Sequence, residues 1–174
     1  VNRTSVKMLT QSNLSHYQLL SEIEKTVKKW SPAIFIGYSN VNFDCEAIRK
    51  EFFKGLRYPY ITNAAPNKRH DGLNIVRAAY AVDEKIFKTE TNEKGNAIMK
   101  LESLARINGI ETEGAHSALV DANLTKLLLE KIYKTQNITW RSALMTGSRQ
   151  DSENLLKKEK IFTLNEYFYG KSRL

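Results

Sequence analysis

The stretch Pro32-Ala33-Ile34-Phe35-Ile36-Gly37-Tyr38-Ser39-Asn40-Val41-Asn42-Phe43-Asp44 decides how the rest of this chain is read. Ala33 to Ile36 is a short, wholly apolar run ending at Gly37, the pattern of a strand buried on both faces, as in a parallel or mixed sheet. Asp44 stands just past that strand, at the start of an expected helix with Cys45, Ile48, Phe52 and Leu56 on one face and Gly55 near its end. A carboxylate at such a strand-to-helix junction lies where open α/β sheets gather ligands. The expected class is therefore α/β.

Upstream, Tyr17, Leu20, Ile23 or Glu24, and Val27 recur at helical spacing after Ser12 and Ser15, either of which could cap, and Pro32 blocks continuation beyond Trp30. Downstream, Tyr58-Pro59-Tyr60-Ile61 reads as an extended passage and Asn67 to His70 as a polar turn. Asp71 can cap a helix carrying Leu73, Val76, Ala79 and Tyr80. From Asp83 to Asn96 the chain is charged and weakly apolar, which predicts a mobile loop. A short helix over Leu101–Ile107 closes at Gly109, and a longer one runs from Ser117 to about Tyr133 with Leu119, Ala122, Leu127, Leu128 and Ile132 on it. Beyond Lys134 the periodicity fades, and no internal repeat or low-complexity segment is present.

A chain of 174 residues can bury roughly 70% of its unfolded surface, enough for a real core. The opening on Val1 and the run Ile161 to Tyr169 read as a piece of a larger protein, with one domain over 1–150 and a tail over 151–174. No apolar run approaches the ~20 residues of a membrane helix and the polar N-terminus lacks a signal-peptide core, so a cytoplasmic protein is expected. The single cysteine, Cys45, permits neither an internal disulfide nor a cysteine-paired zinc site. Net charge is +8, from 27 Lys and Arg against 19 Asp and Glu. Such an excess suits a polyanion, whose counterions are released on binding, or serves solubility alone; charge leaves both open.

The chemistry-bearing stretch is His116-Ser117-Ala118-Leu119-Val120-Asp121. On one ideal helix, five residues of separation would turn the His116 and Asp121 side chains about 140° apart. With His116 in the preceding loop that constraint lapses, and the imidazole can lean over whatever Asp121 ligates. A histidine that moves a proton, with Asp44 and Asp121 sharing divalent cations, supplies parts of a phosphodiester-cleaving metal site. Taken singly, His116 reads as a capping or surface histidine and Asp44 as an N-cap worth about 1 kcal/mol. The joint placement at strand and helix ends favours the site. Asp71 stays a cap, and His16 and His70 show no partner pattern.

The blocks Gly37 to Glu46, Tyr58-Pro59-Tyr60, Asp71 to Tyr80, Lys100 to Leu104, Asn108 to Glu111 and His116 to Ala122 resemble, in consistent order over about residues 33–134, the bacterial exodeoxyribonuclease I family. These are DEDD exonucleases of the branch whose third motif holds a histidine. The resemblance implies a ribonuclease H-like fold, a mixed sheet flanked by helices, with its early strands outside this sequence. It further implies 3′-to-5′ removal of nucleotides from single-stranded DNA with release of 5′-mononucleotides. Asp44 and Asp121 match the family's second- and third-motif ligands for two Mg2+ ions, and His116 its general base. The first-motif Asp-x-Glu pair is absent, so residues 1–174 alone are expected to be inactive.

By the same resemblance Arg49 and Arg77 match basic positions that touch the single strand, and Tyr60 an aromatic one. Lys100 stands where the family offers arginine, keeping the charge but giving up the planar fork. Ile61 to Ala65 lacks a tryptophan found nearby in the family. Residues 155–169 resemble the start of the SH3-like domain that follows in such proteins. The implied partners are single-stranded DNA and single-strand DNA-binding protein, with the enzyme a monomer. Two alternatives stand beside this reading: another member of the superfamily, such as a proofreading subunit or an oligoribonuclease, and a catalytically silent single-strand-binding module.

Overall fold

The computed structural model describes residues 6–11, 14–41, 43–115, 117–159, 161, 166–168 and 171–173, with side chains for all of these except 8, 9, 166–168 and 171–173. In chain order the elements are α1 (Val6–Thr10), α2 (His16–Trp30), β1 (Ile34–Gly37), α3 (Asp44–Lys54), β2 (Lys68–Asp71) and α4 (Gly72–Val82). A 3-10 turn (Glu84–Ile86), β3 (Glu90–Thr91), β4 (Ala97–Ile98), α5 (Leu101–Ile107), α6 (Ala118–Thr135), α7 (Asn137–Leu144), α8 (Arg149–Lys158), β5 (Glu166–Phe168) and β6 (Lys171–Arg173) follow. The strands pair as β1 with β2, β3 with β4 and β5 with β6, the last two pairs antiparallel. No helix among the described residues is long and apolar enough to cross a membrane. The chain divides into two compact units, residues 1–35 with 40–69, and residues 36–39 with 70–174.

In the first unit α2 begins where the capping residues predict. Ser15 accepts from the Gln18 N–H, and the Gln18 side chain accepts from the Ser15 N–H, a reciprocal box that satisfies two of the orphan donors of the first turn. Leu20 and Val27 of α2 are buried, as are Cys45 and Phe52 of α3. Arg57 is bonded to Glu24 and to Ser21 Oγ (2.7 Å), with its guanidinium 4.7 Å from the Tyr17 ring centre.

Four expectations fail here, each for a physical reason. β1 is not buried on both faces: Ile34 is 41% exposed and the rest of the strand half-buried, because β1 has a single neighbour among the described residues. Asn67 to His70 is not a turn, since Lys68–Asp71 forms β2. Its start is fixed by Asn67, whose side chain accepts from the Ala33 N–H (3.0 Å) and donates to the Ile61 carbonyl (2.9 Å), while Lys68 N–H reaches the Ala33 carbonyl. Pro59 to Asn63 is a run of turns and not an extended passage, with the Asn63 and Ala64 N–H groups bonded to the Tyr60 carbonyl. Leu56 does not join the apolar face of α3; it lies beyond the helix and is 96% exposed.

The end of α3 explains that last failure. Leu56 N–H bonds the Phe53 carbonyl and Arg57 N–H the Phe52 carbonyl, the double bond of a Schellman close whose left-handed residue is Leu56, at φ 54°. Glycine usually takes that place. Here the glycine sits one residue earlier, because a Cβ on Gly55 would lie 2.5 Å from Leu20 Cδ1 of α2.

The second unit holds the larger core. Ile75, Val76 and Ala79 of α4, Ile86 and Phe87 after it, Leu104 of α5, and Leu128, Leu129 and Ile132 of α6 are buried together. Asp71 caps α4 as expected, accepting from the Leu73 N–H. Residues 83–96 are not a bare loop. Ile86 and Phe87 anchor the chain in the core, and the β3–β4 hairpin turns on Asn92, whose side chain accepts from the Lys94 and Asn96 N–H groups. On α6 the buried face is Leu124, Thr125, Leu128, Leu129 and Ile132, whereas Leu119, Ala122 and Leu127 face solvent. α7 packs on α4 and α6, and α8 follows, both beyond the stretch where periodicity could be read.

Replacing Leu56 with glycine removes the left-handed penalty without losing buried surface. Leu56→Gly is expected to stabilise the protein by up to about 1 kcal/mol, read as a higher urea midpoint at unchanged slope.

Candidate functional site

A cleft of about 1150 Å³ opens in the second unit. One side is α4, contributing Arg77 and Tyr80; the other is the β3–β4 hairpin and α5, contributing Lys100 at the helix N-cap and Arg106 in its last turn; Asp121 joins from α6. Three residues singled out in the sequence, Arg77, Lys100 and Asp121, are therefore brought together.

Each is placed by local structure. Arg77 lies two turns into α4, half-buried, and donates to Asn74 Oδ1 (3.3 Å). Lys100 is the N-cap residue of α5, exposed, with its backbone carbonyl accepting from the Leu104 N–H (2.8 Å). Asp121 is in the first turn of α6 and half-buried; its N–H bonds the Ser117 carbonyl, and its own carbonyl accepts from Thr125 Oγ1 (2.8 Å). A carboxylate in that position is favoured by the helix N-terminus.

Sequence reasoning gave no role to the residues that hold this cleft open. Tyr38 donates its hydroxyl to the Met99 carbonyl at 2.6 Å, fixing the residue before Lys100. Burial pushes the Tyr38 phenol well above its ordinary range, with Asp71 adding to the rise and Arg77 opposing it. An aromatic with a polar handle at a strand end is the signal that could have singled it out. Behind α5, Ser103 Oγ donates to Glu90 (2.5 Å) and Arg106 pairs with it (3.1 Å). These two bonds, the hydroxyl's first, hold the Glu90 carboxyl below its usual range. Arg106 thus both lines the cleft and ties α5 to the hairpin.

The remaining predicted residues belong to the first unit or lie outside the description. Asp44 is the first residue of α3 and exposed; the N-cap is Phe43, so capping does not account for an aspartate there. Arg49 of α3 pairs with Glu46 (2.5 Å), and Glu46 first, then the Tyr60 hydroxyl, hold the guanidinium in its charged form. Arg49 and Tyr60 are thus brought together. His116 lies outside the described residues, as do Asn165 and Tyr169. Among the described residues no group of three or more His, Cys, Asp or Glu is arranged to hold a metal ion.

Comparison with known proteins gives this geometry a context. A family model described as exonuclease (RNase T) matches residues 3–129. The chain is similar to exodeoxyribonuclease I of Escherichia coli (strain K12), 35% identical over 102 residues, 58% of this chain and 21% of that protein. It is similar to exodeoxyribonuclease I of Buchnera aphidicola subsp. Schizaphis graminum, 34% identical over 123 residues, 70% of this chain and 25% of that protein. Among solved structures, E. coli exonuclease I in complex with a dA16 oligonucleotide superposes with a TM-score of 0.81 at 22% identity, covering 88% of this chain and 33% of that one. A complex of exonuclease I with the SSB C-terminus gives 0.70 at 23% identity, over 78% and 29%. The fold is thus the ribonuclease H-like α/β fold of these nucleases, and the chain spans about a quarter of the length of the curated relatives it matches.

The Tyr38 hydroxyl should ionise above the ordinary tyrosine range in an ultraviolet titration, and Tyr38→Phe should remove that late step. The folded state holds this proton more tightly than the unfolded state does. The stabilisation is therefore complete below the unfolded value of about 10 and is lost as pH rises towards the folded one.

Proposed function

Because this chain belongs to the exonuclease family, matched over residues 3–129, we propose that it is part of a hydrolase that removes nucleotides from the 3′ end of single-stranded DNA and releases 5′-mononucleotides. The observation that carries the reading is the convergence of Arg77, Lys100 and Asp121 on one cleft. Cations and carboxylates lining one concave site suit a phosphodiester: Arg77 and Lys100 can hold phosphate oxygens, and Asp121 offers a hard oxygen to a divalent ion.

Members of this superfamily generally use divalent metal ions. Carboxylate oxygens such as those of Asp121 and Asp44 have the right donor chemistry, but the described residues contain no group of three metal-capable side chains, so the set is partial. On the proposed reading Asp44 and Asp121 hold two Mg2+ ions together with further oxygen ligands. Such ions, when bound, would activate the attacking water and neutralise charge on the departing 3′ oxygen.

The side chains do the rest. A histidine's unperturbed pKa of about 6.5 suits proton removal near neutral pH, and on this reading His116 takes the proton of the attacking water. Arg77 can grip a phosphate with two N–H groups, whereas Lys100 meets it as a point charge. Arg49 contacts the strand at a second phosphate and Tyr60 stacks a base, worth about 1 to 3 kcal/mol. Residues 151–174 are read as a linker and the start of an SH3-like domain. The likeness to exonuclease I solved with the SSB C-terminus supports single-strand DNA-binding protein as a partner. We take the enzyme to be a cytoplasmic monomer.

The second reading is a catalytically silent single-strand-binding module, which the lack of an acidic pair upstream of this sequence would favour. Asp121→Asn in the full-length protein separates the two. The nuclease reading expects loss of metal-dependent cleavage of a 3′-ended oligonucleotide by at least about 100-fold, the scale of one strong transition-state contact, with binding retained. A wild-type protein that binds but never cleaves supports the silent module. Residues 1–174 expressed alone are expected to show no magnesium-dependent digestion above background.

A further inference from the structure

Tyr58 stands apart from the residues given roles so far. It is 59% exposed, and its ring centre lies 5.9 Å from that of Tyr60, itself 43% exposed, with the planes 69° apart. Large aromatics left in water usually mean a surface that is covered in use, and two in contact make a platform in place of a scattered exposure. The segment carrying them is held firmly. Turns close it on the Tyr60 carbonyl, and the buried Asn67 amide donates to the carbonyl of Ile61. Pro59, between the two tyrosines, restricts the backbone further.

The charges beside this platform suit a polyanion. Tyr60 faces Arg49, and Arg49, Lys50 and Arg69 all act electrostatically on one carboxylate, that of Glu46. Glu46 shares the first turn of α3 with Asp44, so three cations stand against two carboxylates there. Exposed aromatic faces beside a basic patch are what an unstacked single strand needs, since every base has a π-face and every linkage a negative charge.

We propose that Tyr58 is a second stacking platform for the single strand, working with Tyr60 as an edge-to-face pair: Tyr58 stacks one base and Tyr60 the base next to it along the strand. Tyr58 is a positioning residue here, remote from the proton and phosphoryl chemistry. The inference rests on the single-strand reading above and deepens it by assigning a base contact to a residue with no role in that reading.

The test uses the full-length protein, a dye-labelled oligo-dT, and an abasic sugar-phosphate strand of equal length, read by fluorescence anisotropy in EDTA so that no cleavage intervenes. Tyr58→Ala should weaken oligo-dT binding about 5- to 100-fold, the range of one lost base stack, and leave the abasic strand unchanged. Tyr58→Phe keeps the ring and should bind as wild type. Tyr58→Leu keeps the bulk without a π-face and should match the alanine variant, which also covers poor folding of that variant. Unchanged oligo-dT affinity in Tyr58→Leu overturns the proposal, as does an equal loss on the abasic strand. Failure of the wild-type protein to bind oligo-dT at all would instead overturn the single-strand reading itself.

Discussion

The second unit hangs on the Asp71 carboxylate. One of its oxygens accepts from two backbone N–H groups, that of Leu73 at the first turn of α4 (2.9 Å) and that of Ser39 just after β1 (2.8 Å). Capping a helix and pinning a strand end with one charged acceptor fixes where α4 starts, and therefore where Arg77 points. The next residue, Gly72, completes the junction. A Cβ there would lie 3.1 Å from the Gly37 carbonyl and 3.3 Å from the Thr125 methyl of α6, so any larger residue would make these neighbours give by a few tenths of an ångström. Thr125 in turn bonds the carbonyl of Asp121. Strand end, α4 and α6 are locked within a few ångströms, and Arg77 and Asp121 inherit their positions from that lock.

Lys100 reaches the same cleft by another route. Its neighbour Met99 is held through its carbonyl by the Tyr38 hydroxyl, one residue before Ser39. Consecutive residues after β1 thus tie down both sides of the site, Tyr38 through its side chain and Ser39 through its backbone. The cost of leaving the largely buried Tyr38 hydroxyl unpaired, about 1 to 3 kcal/mol, resists drift of α5 away from α4. Mixed charges lining the cleft, among them Glu84, Glu102 and Arg106, keep it polar without one dominant sign.

Elements whose signals are local were legible. The Ser15 cap, the Asp71 cap, Gly109 after α5 and the apolar faces of α2 and α4 each lie within a few residues of what they specify. What was not legible depended on distant partners. Lys68-Arg69-His70-Asp71 has the composition of a turn, and becomes a strand because Asn67 and Lys68 bond the backbone of Ala33. The charged 83–96 segment looks like solvated loop until Ile86 and Phe87 find the core built by α4, α5 and α6. On α6 the apolar residues ring the helix too widely for periodicity to name the buried face, and packing against α4 and α5 selects it. For the site, Arg77, Lys100 and Asp121 were reachable from the residues and the family pattern, whereas Tyr38 and Arg106 were not, because their roles are contacts made across 61 and 16 residues of sequence.

The two units differ in the way their charges bear on a nucleic acid. In the cleft Arg77, Lys100 and Arg106 are matched by Glu84, Glu102 and Asp121, so a phosphate entering it gains from placement more than from net attraction. Around Glu46 three cations, Arg49, Lys50 and Arg69, stand against the carboxylates of Asp44 and Glu46 and beside exposed aromatic rings. Releasing counterions there supplies affinity that is steep in salt and indifferent to sequence. On the proposed reading the first unit thus contributes most of the non-specific hold on the strand. The cleft, with its balanced charge and its locked Arg77 and Asp121, contributes the geometry in which one particular linkage is selected. A nuclease that must release each product needs that separation, because a cleft as positive as the patch would retain the anionic mononucleotide it had just produced.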